Sequence, residues 1–140
     1  MKRYYTALVV MTLALVLATF FIMWFDRPLF QSILPAIPLY FAVITGLQHY
    51  VVVKSFYKDP RTFVKNYLGV TVGSLFLHLV VLCVWVFTHL GGDPATAADR
   101  ARQSKMFILF FGIAFLAYLV FETVSLILMV NRKRKESQQK

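Results

Sequence analysis

The sequence predicts an all-α fold: a polytopic membrane protein with four transmembrane helices and both termini on the cytoplasmic side. Three observations lead there. The first is composition. Of 140 residues, 59% are hydrophobic and 15% charged, with a mean hydropathy of +0.68, whereas a water-soluble domain is about half apolar and about a quarter charged. The excess excludes the ordinary soluble, disordered and fibrous classes. The second is where charge is absent. Uncharged runs of 22, 26 and 27 residues occupy 4–25, 28–53 and 66–92, and a run of 26 residues at 106–131 is interrupted only by Glu122. A spanning helix needs roughly 20 such residues. The chain therefore reads as a single membrane domain, 1–140, with helices at about 4–25, 34–53, 66–90 and 106–130 and a short basic tail at 131–140.

The third observation is where the cations fall. Lys2, Arg3, Lys54, Lys58, Arg61, Lys65, Arg132, Lys133, Arg134, Lys135 and Lys140 make eleven on one side, against four, Arg27, Arg100, Arg102 and Lys105, on the other. The positive-inside rule then puts both termini and the 54–65 loop in the cytoplasm. The net charge of +9 is thereby a matter of topology, and nucleic-acid binding need not be invoked. Arg132, Lys133, Arg134 and Lys135 also suit anionic lipid headgroups, at about 1 kcal/mol for each charge near the surface.

Each helix has its own grounds. Lys2 and Arg3 precede an apolar run longer than a signal-peptide core, and Leu17-Ala18-Thr19 is followed by bulky Phe20, Phe21 and Trp24 rather than a small-x-small cleavage site. Helix one is therefore expected to stay as a signal anchor. Pro35 and Pro38 fall in the first turns of helix two, where a missing amide donor matters least. Asp59-Pro60 and Asp93-Pro94 each pair an N-cap residue with a first-turn proline, so helices three and four should begin before the lipid. Tyr4, Tyr5, Tyr50, Tyr57 and Tyr67 mark the inner interface and Trp24 and Tyr40 the outer one, as amphipathic rings prefer. Cys83 is the sole cysteine and reads as a small apolar residue within helix three. With no glycine-rich phosphate loop, paired carboxylates or nucleophile arrangement, neither enzymatic chemistry nor a cofactor or metal centre is expected.

Polar residues inside the spans carry the remaining signal, because an ionisable group at bilayer depth is costly and usually faces protein or water. At 1.5 Å per residue, Glu122 lies roughly 13 Å from Asn131, His49 roughly 7 to 8 Å from Lys54, and Thr71 and Ser74 roughly 9 and 13 Å from Lys65. Residues three and four apart share a helix face. Helix two thus aligns Thr45, Gln48 and His49; helix three aligns Tyr67, Thr71, Ser74 and His78; helix four aligns Tyr118, Glu122 and Ser125. These stripes are expected to meet in one polar layer in the cytoplasmic half of the bilayer, made of Glu122, His49, Gln48, Ser74, Thr71, His78 and Tyr118.

Glu122 has two readings: a protonated or hydrogen-bonded acid that orients the bundle, with His49, Tyr118 or Ser74 as partner, or a proton-relay or ion-binding carboxylate or a contact to another membrane protein's ionisable residue. His49, five residues from the basic loop, reads as interfacial and structural. His78, at roughly 20 Å from Lys65, is the deepest polar group. Gly69 and Gly73 form a small-xxx-small motif roughly 150° around helix three from the polar stripe. Helix three therefore has a second contact face, for a partner or another copy of the chain.

Pro35-x-x-Pro38-x-Tyr40-Phe41, then Thr45-Gly46-x-Gln48-His49, the loop Lys58 to Lys65 and Phe121-Glu122 resemble the AtpI-like proteins, or ATP synthase subunit I, in a form associated with Bacteroidetes. The resemblance covers roughly residues 35 to 131. It implies a four-helix inner-membrane protein that assists assembly of the proton-carrying rotor ring and is not needed in the finished enzyme; some members are linked to magnesium supply. Members of that family carry a lysine near the position of Ser74 or Leu75, whereas no charge lies between Asn66 and Gly92 here. The function expected is a non-enzymatic assembly factor with rotor-ring subunits as partners. The alternative is a small oligomeric transporter of protons or cations, magnesium included, using Glu122, His49 and His78; a third is an accessory subunit of another membrane complex.

Overall fold

The computed structural model describes residues 2–25, 33–57, 60–90 and 97–138. Within them the chain forms four helices, α1 (Lys2–Phe25), α2 (Ala36–Phe56), α3 (Pro60–Leu90) and α4 (Ala97–Gln138), and no strand occurs among the described residues. Each contains a stretch long and apolar enough to cross a membrane: Arg3–Phe25, Ala36–Phe56, Thr62–Thr88 and Ala97–Arg132.

At 1.5 Å per residue the 24 residues of α1 and 21 of α2 span about 36 and about 32 Å, close to the roughly 30 Å hydrocarbon core. The 31 residues of α3 and 42 of α4 overshoot it, at about 46 and about 63 Å. The reasons are local. α3 opens at Pro60, whose fixed φ suits a first helical position. α4 starts at Ala97 because the Ala, Arg, Gln and Lys residues before Met106 are good helix formers. Asp99 in its first turn and Lys135 in its last each match the sign of the helix-dipole end they occupy. Residues 131–138, expected as a tail, are thus the last turns of α4. The expected N-caps Asp59 and Asp93, with Pro94, and the cations Arg27, Lys58 and Lys140 lie outside the described residues. A turn at Ile33–Pro35 leads into α2, with Ala36 N–H donating to the Ile33 carbonyl at 3.0 Å and Ile37 N–H to Leu34 at 3.2 Å.

α2 packs against all three other helices, and α3 packs against α2 and α4. Tyr4 meets Glu122 and Thr12 meets Tyr118, so α1 runs antiparallel to α4 and its start lies beside the middle third of α4. That end is called the terminal end below, and the opposite one the distal end.

Lipid tails are as apolar as leucine, so close packing and hydrogen bonds, rather than the hydrophobic effect, must hold such helices together. The buried residues Phe107, Phe111, Ala114 and Tyr118 of α4 recur at steps of four, three and four and meet Leu34 of the turn before α2, Ile37 and Phe41 of α2 and Leu8 and Met23 of α1. Rings supply much of this contact: Phe41 lies 4.9 Å from Phe111 and 5.7 Å from Tyr118, and Trp85 stacks on Phe107 at 4.2 Å. Three helices join at the Tyr118 hydroxyl, which donates to the Pro38 carbonyl at 2.8 Å and lies 2.7 Å from the Thr12 hydroxyl. Other hydroxyls bond within their own helix, as Thr19 does to Leu15 and Thr123 to Leu119, both at 2.8 Å. This is how threonine satisfies its polar atom where no water is available.

Candidate functional site: an intramembrane acid between two histidine-bearing faces

Glu122 sits one turn beyond Tyr118 on α4, with only 13% of its side chain exposed. Its Oε2 accepts a hydrogen bond from the Tyr4 hydroxyl at 2.5 Å, and its Oε1 lies 3.1 Å from Nδ1 of the buried His49. The Tyr4 ring lies flat on the imidazole, with centroids 3.3 Å apart and planes 5° from parallel. Tyr5 meets Tyr4 edge-on at 5.3 Å and its hydroxyl reaches the Gly46 carbonyl at 3.4 Å. α1 approaches α2 so closely there that a Cβ at Gly46 would be 3.6 Å from Leu8 and 3.8 Å from Tyr5. The first turn of α1 therefore closes one side of the acid.

A cavity of about 60 Å³ lies on the other side. α2 lines it with Thr45 and Gln48, α3 with Tyr67, Thr71, Ser74 and His78, and α4 with Phe115, Tyr118, Glu122 and Thr123. One water needs roughly 10 to 15 Å³ on this measure, and two to four polar partners, so the cavity has room and partners for a few. Leu75 and Leu119, 45% and 44% exposed, and exposed Thr123 also line it. It therefore opens on the lipid-facing surface between α3 and α4. Its distal wall is aromatic. His78 is enclosed there by Phe41, Phe115, Tyr40 and Phe111 at centroid distances of 4.7, 5.6, 5.5 and 6.1 Å, and its Nδ1–H donates to the Ser74 carbonyl. That bond leaves Nε2 as the free ring nitrogen.

Six residues of the expected polar layer, Gln48, Thr71, Ser74, His78, Tyr118 and Glu122, thus line one cavity. His49 does not. It stands 100° around α2 from its neighbour Gln48 and turns to the opposite side of Glu122. It is 4% exposed, because the Tyr4 ring covers it. Tyr118 binds Thr12 and Pro38 rather than Glu122. The partner that sequence reasoning missed is Tyr4, expected only as an interfacial ring. A signal was present in the helical spacing of Tyr4, Leu8, Thr12 and Thr19, a stripe that α1 turns inward. A second missed junction is at the terminal end, where Asn66 of α3 donates to the Ser55 hydroxyl at 2.6 Å.

Gly69 and Gly73 are exposed, with no atom within 4 Å of an added Cβ, so their face looks onto lipid. Arg132 and Lys135 are exposed on the last turns of α4; the side chains of Lys133 and Arg134 lie outside the described residues. Among the described residues, no group of three or more His, Cys, Asp or Glu could hold a metal ion. No protein family, characterised protein or solved structure matches this chain.

Proposed function

We propose that this chain is a non-enzymatic assembly factor for the membrane sector of an F-type ATP synthase. It would sit multi-pass in the bacterial inner membrane with both termini in the cytoplasm. The observation that carries the reading is the laterally open polar cavity beside Glu122. A rotor subunit that carries protons has a carboxylate at bilayer depth, and before ring closure that group faces lipid, where an unpartnered polar group is costly. A helix docked between α3 and α4 would set such a carboxylate beside the amide of Gln48 and the hydroxyls of Thr71 and Ser74. The open Gly69 and Gly73 face lies on the other side of α3 from the cavity and suits close approach of a second copy of the chain or a further helix. The eleven cations assigned to the cytoplasmic side support the orientation.

The competing reading is a proton or cation transporter, and it draws on His78 lining the same cavity as Glu122. Against it stands the aromatic layer of Phe41, Phe111, Phe107 and Trp85, which fills the bundle beyond the cavity. Two experiments separate the readings. Deleting the gene should lower the yield of assembled rotor ring, and tagged protein should recover rotor subunits from a detergent extract; normal ring yield with no recovery overturns the assembly reading. Protein in liposomes holding a pH-sensitive dye should give no flux above empty vesicles, and flux abolished by Glu122→Gln would establish transport instead.

A further inference from the structure

We infer that Glu122 and His49 form a one-proton site whose proton exchanges with water through the α2–α3–α4 cavity and through no path to the distal side. The inference stands on geometry and does not depend on which partner the protein has. A 3.1 Å contact between Oε1 and Nδ1 holds one proton between the two atoms, either on the carboxyl, donating to the imidazole, or on the imidazolium, donating to the carboxylate. Both forms of the loaded pair carry no net charge, which suits a site with so little exposed surface.

Unloading breaks that O–H or N–H bond and passes the proton to a water molecule. It leaves a carboxylate beside a neutral imidazole whose remaining ring proton is on Nε2. The carboxylate is then stabilised by the Tyr4 hydroxyl, already 2.5 Å from Oε2, as charge-assisted hydrogen bonds favour the ionised form. Tyr4 covers the imidazole on the α1 side, so the proton's way out is the cavity, which touches Glu122 and is lined by Gln48, Thr71, Ser74 and Tyr67. Tyr67 lies two residues, about 3 Å along the helix, from Lys65, so the lined route runs toward the terminal end. At the other end it stops at His78, whose ring is enclosed by four aromatic side chains. The titratable groups facing the pair are thus Tyr4 and Tyr5 from α1, Tyr67 and His78 from α3 and Tyr118 from α4.

The chain's two glutamates are Glu122 and Glu136, which makes a direct measurement possible. Protein labelled with carboxyl-¹³C glutamate, in the Glu136→Gln background and in lipid nanodiscs, gives one glutamate carboxyl signal. Its shift should follow bulk pH and move together with the His49 ring signal. Filling the cavity with Thr71→Leu and Ser74→Leu should slow proton exchange at Glu122 by about tenfold or more, equivalent to roughly 1.4 kcal/mol of added barrier. Ser74→Val alone carries the same test should the double variant misfold. A Glu122 signal indifferent to pH across the folded range overturns the proton site, and unchanged exchange in a folded, cavity-filled variant overturns the route. Rotor-subunit recovery is read separately, so this inference and the assembly reading fail independently.

Discussion

The two halves of the bundle are built on opposite terms. In the distal half, rings meet rings: Phe41, Phe107, Phe111 and Trp85 fill the space between α2, α3 and α4. Polar atoms there are stranded rather than networked, the Tyr40 hydroxyl and the Ser104 hydroxyl being buried with no hydrogen-bond partner. In the terminal half, Glu122 is bound on two sides and a cavity adjoins it. An unfilled space forfeits dispersion contacts, and dispersion is much of what holds helices together in lipid. Tight packing and an accessible polar site therefore compete for the same layer, and this chain separates them along the membrane normal.

Substitutions should separate the two roles. The largest effect on stability is expected from Phe107→Ala, which opens the aromatic layer where Phe107 stacks on Trp85 and packs on Phe111, away from the cavity. It should cost about 3 kcal/mol, the low end of the range for such truncations because lipid contributes little transfer term, read as a lower unfolding midpoint in mixed micelles. Rotor-subunit recovery per folded molecule should be unchanged; a loss of recovery would mean that the halves are not separate. Glu122→Leu comes next, at about 2 kcal/mol, because it leaves the Tyr4 hydroxyl and His49 without their acceptor. Here recovery should vanish even in the folded fraction, and retention of recovery would detach the polar layer from partner binding.

Tyr118→Phe removes the junction to Thr12 and Pro38 that lies between the halves. About 1 kcal/mol is expected, the usual scale of an interhelical hydrogen bond in a membrane, with the Glu122–His49 proton signals unmoved. Gly69→Leu combined with Gly73→Leu should have the smallest effect on monomer stability, near zero, since nothing lies within 4 Å of either added Cβ. The measurement of interest there is cross-linking, which should fall if that face meets a partner or a second copy. A large stability loss would show instead that the face is packed within the monomer.

Periodicity made some of the site legible and left the rest hidden. Thr71, Ser74 and His78 declare a common face by their spacing, and they do share the cavity with Gln48, Tyr118 and Glu122. Spacing names a face, however, and not the neighbour opposite. Tyr4, 118 residues from Glu122 in the chain, shares an inward stripe with Leu8 and Thr12, but that stripe does not say that its ring caps a buried acid. His49 shows the complementary difficulty: one residue from Gln48, it faces elsewhere because each step turns the helix by 100°. The overshoot of α3 and α4 was partly visible in Pro60 and in the run of good helix formers before Met106. The helical continuation through residues 131–138 was obscured by a charge pattern that reads as a solvated tail.

By itself the sequence determined the solvent and the spans, because burying charge in hydrocarbon is so costly that where charges are absent a membrane helix must lie. It also determined that one acid would need an explanation. Only the tertiary structure decided what that acid touches. α1 brings Tyr4 onto His49 and Glu122 from one side, and a polar cavity between α2, α3 and α4 lies on the other. Which helix neighbours which is set by shape complementarity among side chains far apart in the chain, and no local pattern encodes that.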